Sequence, residues 1–462
     1  MSPLEGRRDT GGSGSAAATD STGAPKGARA SDAAAPVTRG QVAAAAPARS
    51  FAALRHRGFR AFVVTFALAM MADNIEHVIS YWVIFREFRS PALGGFAVIS
   101  HWLPYLVFSV PVGAIAERVD PRRMIQLGMA MFVAASLGWG WFFVTGTLEL
   151  WHAIVLLILH GAAGVFWMTA SQLLLYDIVP SGELPSAVRL TATARYLGML
   201  VGPAVGGALM LSLGPANGIL VNTLFYLPAV LWLWKAPYGP RFRAAAAAPA
   251  RAVRGLSDIV QTVRDIRGHR VLVPMVLLAG AASFLVGNSY QAQMPEFAHD
   301  LGHGDVGLLY SLLLAADAAG ALVAGVALES GSLLRTAPTV ALALAVAWCS
   351  ALGAFALASS FPLAVGLLFV AGFFELSFSS MAQALVQIHA PQEARGRVIG
   401  LYNMASLGMR AFSGVMVGVV GSVAGIHASL FGAAMAMFAV AVFLLWRARR
   451  SISRSSLPAR VH

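Results

Sequence analysis

Long apolar segments follow one another along this chain, and they constrain its fold more than any other feature. A segment of about 20 apolar residues in helical conformation crosses the hydrocarbon core of a bilayer. Of 462 residues, 58% are hydrophobic and 12% are charged, against about 25% charged residues in a soluble domain. We therefore predict an all-α integral membrane protein with twelve transmembrane helices, at 60–84, 93–116, 122–144, 151–176, 186–212, 217–236, 271–296, 304–328, 335–357, 361–388, 398–422 and 427–447.

The apolar segments form two groups of six, separated by a basic stretch with seven arginines and two aspartates. The first fifty residues are rich in Gly, Ala, Ser and Pro, a composition that cannot bury enough apolar surface to become ordered. The predicted organisation is a disordered cytoplasmic tail at 1–50, an N-terminal six-helix bundle at 51–236, a basic and partly flexible cytoplasmic linker at 237–270, a C-terminal six-helix bundle at 271–447 and a cytoplasmic C-terminal tail at 448–462.

The distribution of arginine predicts the orientation. Arginines precede the first apolar segment, separate the second from the third, and follow the twelfth. Because loops on the cytoplasmic side carry an excess of Lys and Arg, both termini are expected to be cytoplasmic, in a bacterial plasma (inner) membrane. The same rule accounts for the net charge of +12, so no nucleic acid is expected as a partner. A monomer is the expected assembly, and the single Cys349 leaves no intramolecular disulfide.

Residues of the first half recur about 211 positions later in the second half. Internal repeats of this kind occur in transporters that are built from two related bundles, so we predict two pseudo-symmetric six-helix bundles. The matching positions are Gly161, Gly164, Gln172 and Pro180 with Gly372, Glu375, Gln383 and Pro391, and Gly113, Glu117 and Arg123 with Gly325, Glu329 and Arg335.

The loop between the second and third segments reads Gly113-Ala-Ile-Ala-Glu117-Arg118-Val-Asp120-Pro-Arg122-Arg123. It resembles the signature of the major facilitator superfamily at this place, and it departs from that signature at Asp120, where the family usually has Gly. The resemblance implies a gate of ion pairs at the cytoplasmic end of the interface between the halves, which break when that side opens. The alternative is a basic cytoplasmic loop without a further role.

A second pattern lies in the fifth segment, at Gly198, Gly202, Pro203, Gly206 and Gly207. It resembles the glycine motif of the drug/proton antiporter branch of that superfamily, and the chain is also similar to bacterial secretion carriers of the enterobactin-exporter type. This resemblance implies outward transport. The alternative is a small-residue face that only allows close helix packing.

Acidic and histidine side chains occur within the first two segments, where a charge is costly and by default indicates function. Asp73, Glu76 and His77 share one helical face, and His101 is expected at a similar depth. The hypothesis is that Asp73 or Glu76 exchanges the coupling proton and that His77 or His101 tunes it; the alternative is a polar cluster that fixes helix packing. His160 has apolar neighbours in the sequence and is interpreted as a packed polar group, and no metal site is predicted.

Four further charges lie inside predicted spans, at Arg195, Asp317, Glu375 and Arg410. Glu375 and Arg410 are expected to form an ion pair, either structural or exchanging partners with Asp317 as the halves move. The polar residues predicted to contact substrate are Gln172, Tyr176, Asn288, Gln291, Gln383 and Gln387. Trp102 is assigned to an aromatic belt at the membrane interface.

These features together predict a secondary transporter that exports a small organic molecule in exchange for protons by alternating access. The chain has no phosphate-binding Gly-x-x-x-x-Gly-Lys-Ser/Thr loop, so a proton gradient is the expected energy source and no cofactor is expected. It also has no His-Glu-x-x-His or Gly-x-Ser-x-Gly arrangement, so an enzyme is not expected. The partners are a small-molecule substrate, protons and the lipid bilayer; the alternatives are an importer and a non-transporting sensor or scaffold.

Overall fold

The structure is a computed structural model that describes residues 50–88, 91–242, 252–287, 289–302, 306–330 and 334–455. Within these ranges the chain consists of helices and turns without a β-strand. The predicted tail before residue 50, Asn288, part of the linker at 243–251 and the end of the chain at 456–462 lie outside the described residues.

Fourteen α-helices are described. They are α1 (Arg57–Phe88), α2 (Pro91–Ala116), α3 (Pro121–Thr145), α4 (Leu150–Ile178), α5 (Leu184–Lys235), α6 (Ser257–Ile266), α7 (Leu272–Leu285), α8 (Ser289–Leu301), α9 (Val306–Ser330), α10 (Pro338–Ala356), α11 (Phe361–His389), α12 (Arg395–Asn403), α13 (Arg410–Ala424) and α14 (Ile426–Ser455).

Nine helical segments within the described ranges have the length and hydropathy to cross a membrane. The longest has 62 residues and would extend about 93 Å as one straight helix, about three times the thickness of the hydrocarbon core. Its main helix, α5, breaks at Gly214, which has φ 77° and ψ 164°. Beyond the break the chain folds back, because Gly218 lies beside Leu209. This segment therefore supplies two of the predicted spans.

Two predicted spans, 271–296 and 398–422, are interrupted where single helices were expected. The first is divided into α7 and α8 at Gly287, which has φ 50°, a backbone conformation that glycine adopts without steric cost. The second contains a π-helical turn at Met404–Gly408 between α12 and α13. With these two interrupted spans all twelve predicted segments are accounted for.

Each half of the chain has its own apolar core. Side chains of α1 to α5 such as Phe62, Phe132 and Trp167 form one core, and side chains of α7 to α14 such as Trp348 and Phe355 form the other. This arrangement agrees with the prediction of two six-helix bundles, because each bundle buries its own apolar faces.

Part of the basic linker is an ordered helix. Asp258, in the first turn of α6, is only 2% exposed, and its Oδ2 accepts a hydrogen bond from the backbone nitrogen of Arg254 at 2.7 Å. Its Oδ1 lies 3.2 Å from Nε of Arg397. The linker therefore contacts the C-terminal half through a buried charge, which its basic composition did not indicate.

Two buried ion pairs join the halves at the end of the molecule that carries the predicted gate motif. The Glu117 carboxylate accepts a hydrogen bond from the backbone nitrogen of Arg397 at 2.9 Å and pairs with its guanidinium. Glu329 accepts hydrogen bonds from Nε of Arg189 at 2.6 Å and from Ser186 at 2.7 Å. Since Glu117 and Glu329 are repeat-related positions, the two halves contribute equivalent carboxylates. Arg189 was not singled out from the sequence.

Other residues of the gate motif act within the N-terminal half. Asp120 caps the first turn of α3 by accepting a hydrogen bond from the backbone nitrogen of Arg122 at 3.0 Å, as N-cap aspartates do. The Arg122 guanidinium lies 2.6 Å from the same carboxylate, and Arg123 donates to Gln126 at 3.1 Å. The acid that replaces the usual glycine therefore fixes the start of the third span.

Glycines let the two halves approach backbone to backbone at this end. A Cβ atom on Gly113 would lie 2.1 Å from the carbonyl oxygen of Gly396, and a Cβ atom on Gly396 would lie 2.1 Å from the carbonyl oxygen of Gly113. Gly400 approaches the carbonyl oxygen of Ser109 in the same way. These contacts leave no room for a side chain, so the gate end is closed.

Substitution Gly396→Ala is expected to favour opening of the gate end. The added methyl group meets backbone, which cannot rotate away, and overpacking of this kind costs about 1–3 kcal/mol. A cysteine at Ser109, in a Cys349→Ser background, should then be alkylated about fivefold faster or more. Gly207→Ala is the matched control, because a Cβ atom there meets nothing within 4 Å. Equal alkylation rates in Gly396→Ala and its background would contradict this account of the closed gate.

Substitution Glu329→Gln is expected to lower the thermal stability of the purified protein. It leaves the partly buried charge of Arg189 without its counter-charge, a loss of about 3 kcal/mol. The double variant Glu329→Gln with Arg189→Gln should recover part of the lost Tm, because it leaves no unpaired charge. Glu87→Gln, in an exposed pair with Arg86, should melt like the wild type. A wild-type Tm for Glu329→Gln would show that the pair does not hold the halves together.

Candidate functional site

A cavity of about 600 Å³ lies between the two halves, beyond the closed gate. This volume is within the range of sites for small organic ligands. Its wall combines aromatic and ionisable side chains from both halves of the chain, including Asp73, His77, His101, Trp102, Tyr105, Arg195, Tyr196, Gln291, Glu375 and Arg410.

The N-terminal wall contains a buried cluster of carboxylates and imidazoles. Nδ1 of His160 lies 2.8 Å from Oε1 of Glu76, and Nε2 of His160 lies 2.9 Å from Oδ1 of Asp73. Two hydrogen bonds need two hydrogen atoms, and a neutral imidazole between two carboxylates supplies only one, so His160, Asp73 and Glu76 together hold one further proton. The interpretation of His160 as an isolated packed residue is therefore wrong: α4 places it against the polar face of α1, a contact that its apolar sequence neighbours do not reveal.

The two other histidines connect this cluster to the cavity. Nδ1 of His77 lies 2.8 Å from the backbone carbonyl oxygen of Asp73, and Nε2 of His77 lies 3.2 Å from Nδ1 of His101. His77 and His101 are therefore at the same depth, as the sequence predicts. Glu76 does not line the main cavity, and it accepts a hydrogen bond from Ser136. Hydrogen-bonded and neighbouring polar side chains thus connect buried Glu76 with the wall of the cavity.

The same cluster has donor atoms that metal ions use. Single donor atoms of Asp73, His77, His101 and His160 lie within 4.8 Å of one another, and imidazole nitrogens are common ligands of transition-metal ions. One further proton held by His160 and the two acids accounts for both hydrogen bonds without a metal ion. The geometry is therefore compatible with a proton site and also has the donor set of a metal site.

The glycine motif of the fifth span packs directly on the helix that carries this cluster. A Cβ atom on Gly202 would lie 2.6 Å from Cβ of Asn74, and one on Gly198 would lie 2.8 Å from Cβ of Met70. Gly206 faces Ile75 in the same row, whereas Gly207 has nothing within 4 Å. Pro203 is an exposed proline inside α5. The motif therefore sets the distance between α5 and α1.

Two acids of the C-terminal half share one tyrosine. The Tyr290 hydroxyl lies 3.1 Å from Oδ2 of Asp317 and 3.1 Å from Oε2 of Glu375. A hydroxyl has one hydrogen to donate, so two hydrogen bonds to these acids require a further proton on one of them. Asp317 and Glu375 are therefore brought together, as the predicted network of buried charges implied.

The predicted ion pair between Glu375 and Arg410 is not formed. Both side chains line the cavity, but the ion pairs of the described residues do not include Arg410, and its Nε has no hydrogen-bond partner. Its guanidinium carbon instead lies 5.1 Å from the ring centroid of Trp102. The Glu375 carboxyl group is instead hydrogen-bonded to the Tyr290 hydroxyl. Trp102 is likewise not a belt residue, because it faces the cavity.

The polar residues predicted to contact substrate divide into two groups. Gln172 donates to Asn403 at 2.8 Å and accepts from Gln387 at 3.4 Å, and Tyr176 donates to the backbone carbonyl of Gln387 at 2.5 Å. These three predicted residues join the halves and do not line the large cavity, although Gln172 lines a smaller pocket. Gln291 does line the cavity, whereas Gln383 lines a smaller pocket.

Comparison with known proteins identifies the relatives of this chain. The family model described as Major Facilitator Superfamily matches residues 61–414 and 276–460. The multidrug efflux pump Tap of Mycolicibacterium fortuitum is 24% identical over 404 residues, which cover 84% of this chain and 96% of Tap. The putative multidrug resistance protein MdtD of Salmonella typhi is 26% identical over 122 residues, which cover 26% of this chain and 25% of MdtD.

A solved structure shows the same fold. The crystal structure of the E. coli fucose:proton symporter FucP superposes with a TM-score of 0.66 at 14% sequence identity, covering 87% of this chain and 99% of FucP. The family match extends over most of the chain, and the helices, the repeat-related gate and the central cavity agree with it. The chain belongs to the major facilitator superfamily and is a multi-pass membrane transporter.

Proposed function

We propose that this transporter exports a small organic molecule in exchange for protons, as a monomer in a bacterial inner membrane with both termini cytoplasmic. The observation that carries the proposal is the imidazole of His160, which lies between two buried carboxylates beside the central cavity. Secondary transporters alternate between states in which a central site faces one side of the membrane or the other. The closed gate at one end corresponds to one of these states.

The cluster can couple protons to this alternation. Asp73 is the only acid of the Asp73, Glu76 and His160 group that lines the cavity, so a proton from the cavity reaches this carboxylate first. Protonation of Asp73 removes the negative charge beside Nε2 of His160, and this weakens the contact between α1 and α4. Because α1 also packs on the glycine face of α5, the change is transmitted within the N-terminal bundle. The neighbouring acids Asp317 and Glu375 form a second site at which a proton can bind.

Two observations support export over import. The glycine motif of α5 is complete, and it resembles the motif of drug/proton antiporters. Tap and MdtD carry names that describe efflux or drug resistance, and Tap aligns over nearly its whole length. If the termini are cytoplasmic, the closed gate lies on the cytoplasmic side, and a cavity beyond it is where an exported molecule is released.

Direction and substrate class are tested together by untargeted metabolite profiling. A strain that lacks the gene is compared with the same strain carrying the wild-type gene or the Asp73→Asn variant. An exporter is expected to lower the cellular level of at least one compound and raise it in the medium. An opposite distribution would indicate import, and identical profiles under all growth conditions would favour a sensor or scaffold.

Proton coupling is tested with purified protein in liposomes, using the compound found by profiling. Asp73→Asn and Glu76→Gln are each expected to reduce transport driven by a pH gradient about tenfold or more, because they remove the groups that exchange the proton. Exchange of labelled for unlabelled compound, which needs no gradient, should persist in both variants.

The exposed acid Glu149 stands at a helix start and is not among the residues that line the cavity. It provides the matched control Glu149→Gln, which should transport normally. A chelator should leave wild-type transport unchanged if the cluster binds a proton and no metal. Normal gradient-driven transport by both Asp73→Asn and Glu76→Gln would disprove coupling at this cluster.

A further inference from the structure

We propose that Arg195 and Arg410 together bind an anionic group of the transported molecule, so that the substrate class is an organic anion with an aromatic or apolar part. This inference rests on the proposed function, because it assigns a ligand to the same cavity. The two arginines come from different halves of the chain, Arg195 from α5 and Arg410 from α13, and both line the cavity.

The first argument is that these two arginines have no acidic partner, whereas the gate arginines do. Arg397 pairs with Glu117 and Asp258, and Arg189 pairs with Glu329. Within the described part of the chain, the ion pairs include neither Arg195 nor Arg410, and Nε of each is buried without a hydrogen-bond partner. Removing an ion from water costs several kcal/mol unless it is paired. Asp73 and Glu375 line the same cavity but form no ion pair with either arginine, so both guanidinium groups can bind an anionic ligand.

Arg395 is a third arginine whose buried Nε has no partner, and it shows what distinguishes the cavity pair. Its guanidinium carbon lies 3.9 Å from the ring centroid of Tyr176, at the interface near the gate. It does not line the cavity. Arg195 and Arg410 differ from it because they face a space that is large enough for a ligand.

The second argument is that the acids of the cavity are already bonded to other donors. Asp73 is hydrogen-bonded to His160, and Glu375 and Asp317 are both hydrogen-bonded to the Tyr290 hydroxyl. Gln291 is a further donor, 3.4 Å from Asp317. The protein thus supplies separate partners to its carboxylates and leaves two guanidinium groups for a ligand.

The third argument concerns the ring systems beside the arginines. The Arg410 guanidinium carbon lies 5.1 Å from the Trp102 ring centroid, and that of Arg195 lies 5.6 Å from the Tyr196 ring centroid. Aromatic faces hold a guanidinium in place without neutralising its charge. They also offer apolar surface to the body of a ligand. The part of the cavity wall around Arg195 and Arg410 is therefore both cationic and aromatic.

The position of the two arginines gives the anion a role in transport. Arg195 and Arg410 line one cavity from different halves of the chain. Like charges in surroundings of low dielectric constant repel, and an anion bound to both converts this repulsion into attraction. Guanidinium groups bind carboxylate, sulfonate or phosphate oxygens through paired hydrogen bonds. An anionic ligand would thus draw α5 and α13 together, so that ligand binding itself favours movement of the halves.

The inference is tested by binding of three probes with the same aromatic body to the purified full-length protein in nanodiscs. The probes are pyrene carrying a butyrate, a butanol or a butylammonium group. Energy transfer from tryptophan to pyrene reports binding, without any proton gradient. The butyrate probe is expected to bind about tenfold more tightly or better than the other two.

Arg195→Gln and Arg410→Gln should each weaken butyrate binding about tenfold and abolish the preference for the anion. Arg→Lys at the same positions keeps the charge and should retain the preference, which separates recognition of charge from misfolding. Arg86→Gln, in an exposed pair, is the matched control and should bind as the wild type does. A chloride titration, with gluconate as the balancing anion, is expected to compete only weakly.

Equal binding of the butyrate and butanol probes to the wild type would overturn the inference, and so would wild-type butyrate binding by both Gln variants. Displacement of the probe by low chloride concentrations would also overturn it, because the site would then hold an inorganic ion. These outcomes leave proton-coupled export standing, since they involve no gradient. Conversely, failure of the Asp73 and Glu76 test would leave the anion site intact.

Discussion

The paired carboxylates Glu117 and Glu329, each bonded to an arginine of the opposite half, are the contacts on which the rest of this structure depends. These ion pairs replace water around four charged side chains, of which only Arg189 is partly exposed, with fixed partners, which is the condition under which charges can lie inside a protein. Because the contacts cross between halves, they exist only while this end is closed. The central cavity has its present shape for the same reason, since the gate brings the two bundles together on one side of it.

The ionisable groups of the interior divide into three arrangements. At the gate, each acid forms an ion pair with an arginine. In the two bundle walls, acids share protons with histidine or tyrosine. At the centre, two arginines face open space. In the proposed mechanism the first arrangement breaks during opening, the second changes its charge and the third binds the ligand. The low dielectric constant of the membrane interior makes each change energetically large.

The sequence predicts the fold almost completely, because apolar length and arginine distribution are strong signals in a membrane protein. It also identifies the polar face of α1 and the depth of His101. It fails for His160, because the partners of that residue are 84 and 87 positions away. It fails for the Glu375 and Arg410 pair because a tyrosine competes for the acid. Gln172, Tyr176 and Gln387 were placed on the correct helices, but the depth of the cavity along those helices depends on the state of the gate.

The π-helical turn at Met404–Gly408 has a consequence for the side chains that follow it. Such a turn inserts one residue into an α-helix, and one residue corresponds to about 100° of rotation around the helix axis. Arg410 begins α13 immediately after this turn, so the insertion determines the direction in which its guanidinium points. Relaxation of the turn to ordinary α-helix would swing that charge away from Trp102 with little movement of the bundle as a whole. The direction of the cationic side chain in the eleventh span therefore depends on the hydrogen bonding of this single turn.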